Sequence, residues 1–119
     1  MIQPQTHAAA GLAAECLACE ALIRDGWAIM GRRLRTAAGE IDAVVERDGL
    51  TVFVEVKARC SLAAAAEALR PRQRGRLLGA AEILLAENPQ WGQAGVRFDV
   101  MAVDRAGTVR RITDAFRLC

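Results

Sequence analysis

"GEIDAVVERDGLTVFVEVKAR", residues 39–59, holds two runs of alternating residues joined by Arg47-Asp48-Gly49. An Asp-Gly pair between alternating runs is a strong short-range hairpin signal, and it predicts antiparallel strands over residues 40–46 and 50–58. The same stretch carries Lys57, the only lysine of the chain, while the fifteen other basic residues are all arginine.

Strand alternation sorts these residues onto faces. Glu40, Asp42 and Val44 share one face of the first strand, opposite Ile41, Ala43 and Val45. Phe53, Glu55 and Lys57 share one face of the second, opposite Val52, Val54 and Val56. Glu55 and Lys57 then project the same way, about 6.5–7 Å apart along the strand. The tight turn makes Asp42 a cross-strand neighbour of Glu55 or Lys57. Two carboxylates and one ammonium thus converge. Spacing alone leaves two readings open. One is a solvated cross-strand ion pair worth under about 1 kcal/mol. The other is a site for a divalent cation such as Mg²⁺ or Mn²⁺, which removes the repulsion between two acids and is typically held by one or two carboxylates. A compact ammonium suits a phosphate near that ion better than a bulky guanidinium does, and the solitary lysine tips the balance to the second reading.

Outward from the hairpin, Leu12, Cys16, Cys19, Leu22 and Ile23 recur at helical spacing over residues 8–25, and Asp25-Gly26 ends that helix. "WAIMGRR" reads as a strand and residues 36–39 as a loop. Residues 61–66, all small apart from Leu62, read as a loop. Pro71 suits the first turn of a helix running to Asn88-Pro89, with Leu77, Leu78, Ala81, Leu84 and Leu85 as its apolar stripe. "VRFDVMAVD" is a buried strand, Gly107 a turn residue and "TVRRIT" a last strand before "DAFRLC". The order α-β-β-β-α-β-β predicts an α/β fold with a mixed sheet flanked by helices, in one domain over residues 1–119 whose residues 1–7 form a frayed tail.

The composition, 53% apolar and 25% charged, is that of a globular chain. No apolar run reaches the roughly 18 residues of a membrane span. The N-terminal stretch has no basic region ahead of its apolar residues, which Glu15 and Glu20 interrupt, so no signal peptide and a cytoplasmic location are expected. Cys16 and Cys19 form a lone CxxC without a second ligand pair, and the only histidine, His7, falls in the expected tail; these cysteines read as structural.

Asp42, a hairpin, then Glu55-x-Lys57 matches the PD-(D/E)XK nuclease signature of the restriction-endonuclease-like fold. More narrowly, "GEIDAVV…VFVEVKAR", with "VRFDVMAV" and "DAF" downstream, resembles the YraN-type family of small bacterial proteins, which is similar to archaeal Holliday-junction resolvases. The resemblance runs from about Gly11 to Phe116. It implies a metal-dependent phosphodiesterase with Asp42, Glu55 and the carbonyl of Val56 as ligands of Mg²⁺ or Mn²⁺, Lys57 as the catalytic ammonium and Glu15 as a supporting acid. Three positions depart from the family pattern: Ala14 replaces a glycine, Arg33 an asparagine, and Gln73 a lysine.

A net charge of +2 argues nothing by itself. Clustering does: "LRPRQRGR" places Arg70, Arg72, Arg74 and Arg76 at a helix N-terminus, with Arg59 and Arg35 near the hairpin. An arginine rim around an acidic centre suits a phosphodiester substrate. With no tyrosine, two tryptophans and three phenylalanines, the chain offers little for base stacking, so structure-selective rather than sequence-selective DNA binding is expected. A domain this small covers little duplex, which favours a homodimer. The competing reading is a nucleic-acid-binding or interaction module that keeps the fold without catalysis. Asp99, inside an apolar strand, reads as the structural partner of Arg97.

Overall fold

Asp48 and Gly49 form the tight turn at the centre of the chain. Both have positive φ (52° and 82°), and Arg47 pairs directly with Leu50, as a two-residue hairpin loop of left-handed residues requires. The computed structural model describes residues 7–116. The elements are α1 (His7–Arg24), β1 (Ala28–Arg35), β2 (Glu40–Arg47), β3 (Leu50–Ala58), α2 (Leu62–Ala68), α3 (Pro71–Glu87), β4 (Val96–Val103) and β5 (Val109–Phe116).

The five strands form one mixed sheet in chain order, β1-β2-β3-β4-β5. Neighbours are antiparallel except β3 and β4, which run parallel from Thr51↔Val96 to Ala58↔Val103 because the two helices between them carry the chain back. Helices cover both faces. Ala14, Ala18, Cys19 and Leu22 of α1 bury Ala43, Val45, Val52, Val54, Met101 and Val103. On the other face Ala65 of α2 and Leu77, Ala80, Ala81 and Leu84 of α3 bury Ile41, Val44, Phe53, Phe98, Val100 and Ala102. A sheet covered on both faces reads as near-continuous apolar strands, as "TVFV" and "VMAV" do.

The α/β architecture is as expected, with three differences in detail. Residues 61–66 are not a loop: Ser61 accepts a hydrogen bond from Ala64 N at 3.1 Å and caps α2. Four successive alanines, the strongest helix formers, then carry the turn, so the order is α-β-β-β-α-α-β-β. Of the expected tail, residues 1–6 lie outside the described residues and His7 opens α1. The last strand runs on through "DAF", across a left-handed Asp114 (φ 54°).

Gly49 carries the turn geometry, and a β-carbon there would stand 3.2 Å from Ala94 Cβ. Gly49→Ala should therefore cost about 1–2 kcal/mol in urea unfolding, and Gly49→Asn less, since asparagine tolerates left-handed φ. An alanine variant as stable as the parent would show that the turn does not set the hairpin.

Candidate active site

At Asp42 the alternation of the hairpin fails. Gly31 and Leu34 of β1 both face the α3 side, as do Val44 and Ile41 opposite them, while Arg32 and Ala43 between face α1. Each strand therefore skips one side-chain step between those residues, where Arg33 stands across from Asp42. Arg33 has φ 51°, a left-handed conformation that costs a non-glycine residue roughly 1–2 kcal/mol. Asparagine tolerates that region, which would account physically for the asparagine that the resemblance implies here. The kink has two effects. Arg32 and Arg33, consecutive in a strand, both reach α1, to Cys16 Sγ at 3.6 Å and Glu15 Oε2 at 3.4 Å. Asp42 no longer shares the flat face expected for it with Val44.

The β2–β3 ladder ends at Ala43↔Val54, one step before Asp42 and Glu55. Asp42 Oδ2 takes over the ladder's role and accepts a hydrogen bond from Val56 N at 2.7 Å. Asp42 lies beside Glu55 on one side and Glu15 on the other, close enough for its carboxyl to raise the pKa of both. Three acids from α1, β2 and β3 thus stand in a row with Asp42 in the middle. Glu55 is only 8% exposed. Burial first, then the hydrogen bond and charge of Asp42, push its carboxyl up to about 9 against the opposing pull of Lys57. Burial and Asp42 raise Glu15 as well, with Arg33 and Arg32 opposing. Arg33 sits within ion-pair distance of Glu15 Oε2 but is not aligned as a donor, so that buried oxygen has no hydrogen-bond partner.

Lys57, on the same face of β3 as Glu55, meets α3 at Gln73. With the Gln73 amide oxygen turned to the ammonium, Lys57 Nζ donates to it at 2.8 Å and the amide nitrogen donates to the Ala68 carbonyl at 2.9 Å. The opposite orientation sets Nε2 3.3 Å from Glu55 Oε2 but leaves donor facing donor. The first suits a protonated Glu55, whose O–H can reach the same amide oxygen. Gln73 stands where the resemblance implies a lysine, and nothing in the sequence signalled that it links Lys57 to Glu55.

Of the three acids Glu55 opens into a cleft of about 350 Å³, lined also by Gly39, Glu40, Arg70, Arg72, Gln73 and Arg76. Among the described residues no ion pair engages Arg70, Arg72 or Arg76, so three arginines share the cleft with Glu55 without an ion-pair partner. The other expected DNA contacts lie elsewhere. Arg74 donates to the Leu69 carbonyl at 3.0 Å, Arg59 to its neighbour Ala58 at 2.9 Å, and Arg35 pairs with Glu40 at 3.2 Å. Asp99 is structural, as expected: it is 1% exposed, receives two bonds from Arg97 at 2.8 and 2.9 Å, and has Arg111 at 3.1 Å. Cys16 is exposed and Cys19 buried, both as free thiols.

The donor set fits a hard divalent cation. Crowded, buried carboxylates keep a proton that such an ion would displace, and one or two carboxylates with water are what Mg²⁺ takes. The row is not a closed cage: no three His, Cys, Asp or Glu side chains among the described residues converge to hold an ion by themselves.

A sequence model of the uncharacterised protein family UPF0102 matches residues 14–103, which include the whole row of acids, Lys57 and the cleft. A UPF0102 protein of Granulibacter bethesdensis is 63% identical over 91% of this chain and 68% of its own length. One from Azorhizobium caulinodans is 47% identical over 96% of this chain and 87% of its own length. One from Acidiphilium cryptum is 52% identical over 77% and 71%. This is the YraN-type family that the GEID…FVEVK motif resembles.

The raised Glu55 carboxyl makes stability fall with pH. Below about 4.5 the folded and unfolded chains are both protonated there; between about 4.5 and about 9 only the folded chain holds the proton, so each step up in pH favours unfolding. Glu15 contributes with the same sign. In chelator, the melting temperature should drop from pH 5 to pH 8, and Glu55→Gln should flatten the drop and melt higher at pH 8. A parent protein that gains stability over this range would refute the buried-proton assignment.

Proposed function

The chain belongs to the uncharacterised protein family UPF0102, and for this member we propose a metal-dependent DNA endonuclease activity, hydrolysing phosphodiester bonds with structure rather than sequence selectivity. One observation carries the reading. Asp42 and Glu55 meet where the β2–β3 ladder opens, and Glu55 lines a cleft of about 350 Å³ together with Arg70, Arg72 and Arg76, which no ion pair engages among the described residues. Acids alone would repel a phosphodiester, and arginines alone would only hold it. Together at one cleft, they allow both binding and chemistry.

Asp42, Glu55 and the carbonyl of Val56 are the ligands proposed for Mg²⁺ or Mn²⁺, with Glu15 supporting Asp42 from α1. When bound, such an ion activates water and polarises a phosphoryl oxygen. The residues of the chain do the rest. Arg72 and Arg76, one helical turn apart, grip successive backbone phosphates with Arg70 beside them. The first turn of α3 has no side-chain cap, so its N–H groups add positive potential at the same end. Lys57, held by Gln73, sets a compact positive charge beside Glu55, where it neutralises charge building on the phosphate in the transition state. The Val56–Asp42 hydrogen bond fixes one carboxylate oxygen and leaves the other to the centre.

Purified protein incubated with branched, flapped and single-stranded DNA in Mg²⁺ or Mn²⁺ should cut at least one of them. Asp42→Asn and Lys57→Ala should each slow cutting by about a hundredfold or more. Cleavage that continues unchanged in both variants would sink the assignment, and DNA binding without cleavage under either cation would leave a binding module. In binding assays, replacing Arg72 and Arg76 together by alanine should weaken affinity across all DNA sequences and reduce the slope of log K against log salt by about two.

A further inference from the structure

Resting on that reading, we propose that Arg33 stands in for a second cation, so that the centre takes one divalent ion, at Asp42–Glu55, and not two. The row Glu15–Asp42–Glu55 offers three carboxylates from three elements. Lys57 supplies the fixed positive charge at the Glu55 end. At the Glu15 end the charge comes from Arg33, whose Nε lies 3.4 Å from Glu15 Oε2. That oxygen is buried and accepts no hydrogen bond, which is the condition of an oxygen open to a cation. The Arg33 side chain is 52% exposed, so the place it occupies is one a hydrated ion could reach from solvent. A guanidinium stays charged at every working pH and cannot be diluted away, unlike a metal ion.

A purely structural role accounts for less. The core residues of α1 and the neighbouring Arg32–Cys16 contact already attach α1 to the sheet. Nothing in that attachment needs a long charged side chain at a left-handed backbone position (φ 51°), which a smaller residue fills with less strain. What Arg33 adds is a cation at Glu15, the end of the row away from Glu55 and Lys57.

Mn²⁺ binding, measured by calorimetry and by loss of the free-ion spin-resonance signal, tests this without any cleavage assay. The parent should bind one Mn²⁺ per chain. Arg33→Asn, which keeps the backbone conformation and removes the charge, should bind a second ion or bind the first about tenfold more tightly. Arg33→Lys, which keeps a charge, should stay at one ion, and Arg33→Asn combined with Glu15→Gln should return to one. Thermal melts of each variant confirm folding, with Arg33→Gly as a second uncharged variant that accepts the left-handed conformation. One ion at unchanged affinity in both Arg33→Asn and Arg33→Gly overturns the proposal and leaves the nuclease reading standing, as does a parent that already binds two. No Mn²⁺ binding by the parent or any variant overturns both.

Discussion

The hydrogen bond from Val56 N–H to Asp42 Oδ2, 2.7 Å long, holds the site open. A backbone N–H inside a sheet must find an acceptor, and past Ala43↔Val54 the β2 carbonyls no longer supply one. The kink at Arg33 and Asp42 has turned the side chains of β1 and β2 out of alternation, and a carboxylate closes the gap in place of the ladder. Had the ladder continued, Asp42 and Glu55 would face one side of a flat sheet as ordinary cross-strand neighbours. With the ladder broken, one oxygen of Asp42 is committed to the backbone, and the carboxylate lies between the two layers, within reach of α1 and β3 together.

The electrostatics follow from that placement. Lys57 sits on the same face as Glu55, yet burial and Asp42 outweigh its pull and keep the Glu55 proton up to about 9. Desolvation wins because the acid is deeply buried, while the ammonium is half-buried and shared with Gln73. The folded state therefore gains nothing from ionising this pair and loses stability as pH rises. The apolar layers on both faces of the sheet supply the stability instead. Acids that weaken a fold they do not hold together are expected at functional sites and are hard to explain elsewhere.

How far the sequence was legible depended on the range of the physics involved. Period-two runs and Asp-Gly specify the hairpin locally, so β2, β3 and their turn were readable, as were α3 from Pro71 and the buried strand β4 after it. The Asp42–Glu55–Lys57 meeting followed from register alone. The left-handed backbone at Arg33 did not: arginine has no local preference for positive φ, and tertiary contacts impose it. The α2 helix was hidden because its length, Leu62–Ala68, is too short for a periodic stripe, although Ser61 before four alanines was a usable cap signal. Gln73 was invisible for a different reason. Its partners, Lys57 and Ala68, come from different elements, and only the packing of α3 on the sheet face brings them together. The arginines divided on the same principle: the helical spacing of Arg72 and Arg76 placed both on the cleft, whereas Arg74, Arg59 and Arg35 were claimed by carbonyls and by Glu40.

The break between α2 and α3 completes the site. Ala68, Leu69 and Arg70 sit between an alanine-rich turn and Pro71, which cannot continue the preceding helix because it lacks an N–H. The chain must start a new helix there, and Arg70, its N-cap residue, has an extended backbone (φ −74°, ψ 159°) and no side-chain cap. Joined through Pro71, α2 would have carried "RPRQRGR" around a single helix, spreading its charges over every face. Restarting at Pro71 brings the uncapped positive end of α3, Arg70, Arg72 and Arg76 to the rim of the cleft whose floor holds Glu55. The arginines and the acids stay unpaired across that space, so neither set neutralises the other. One proline thereby sets the arginines on the cleft that Glu55 lines, the arrangement that the proposed phosphodiester substrate would require.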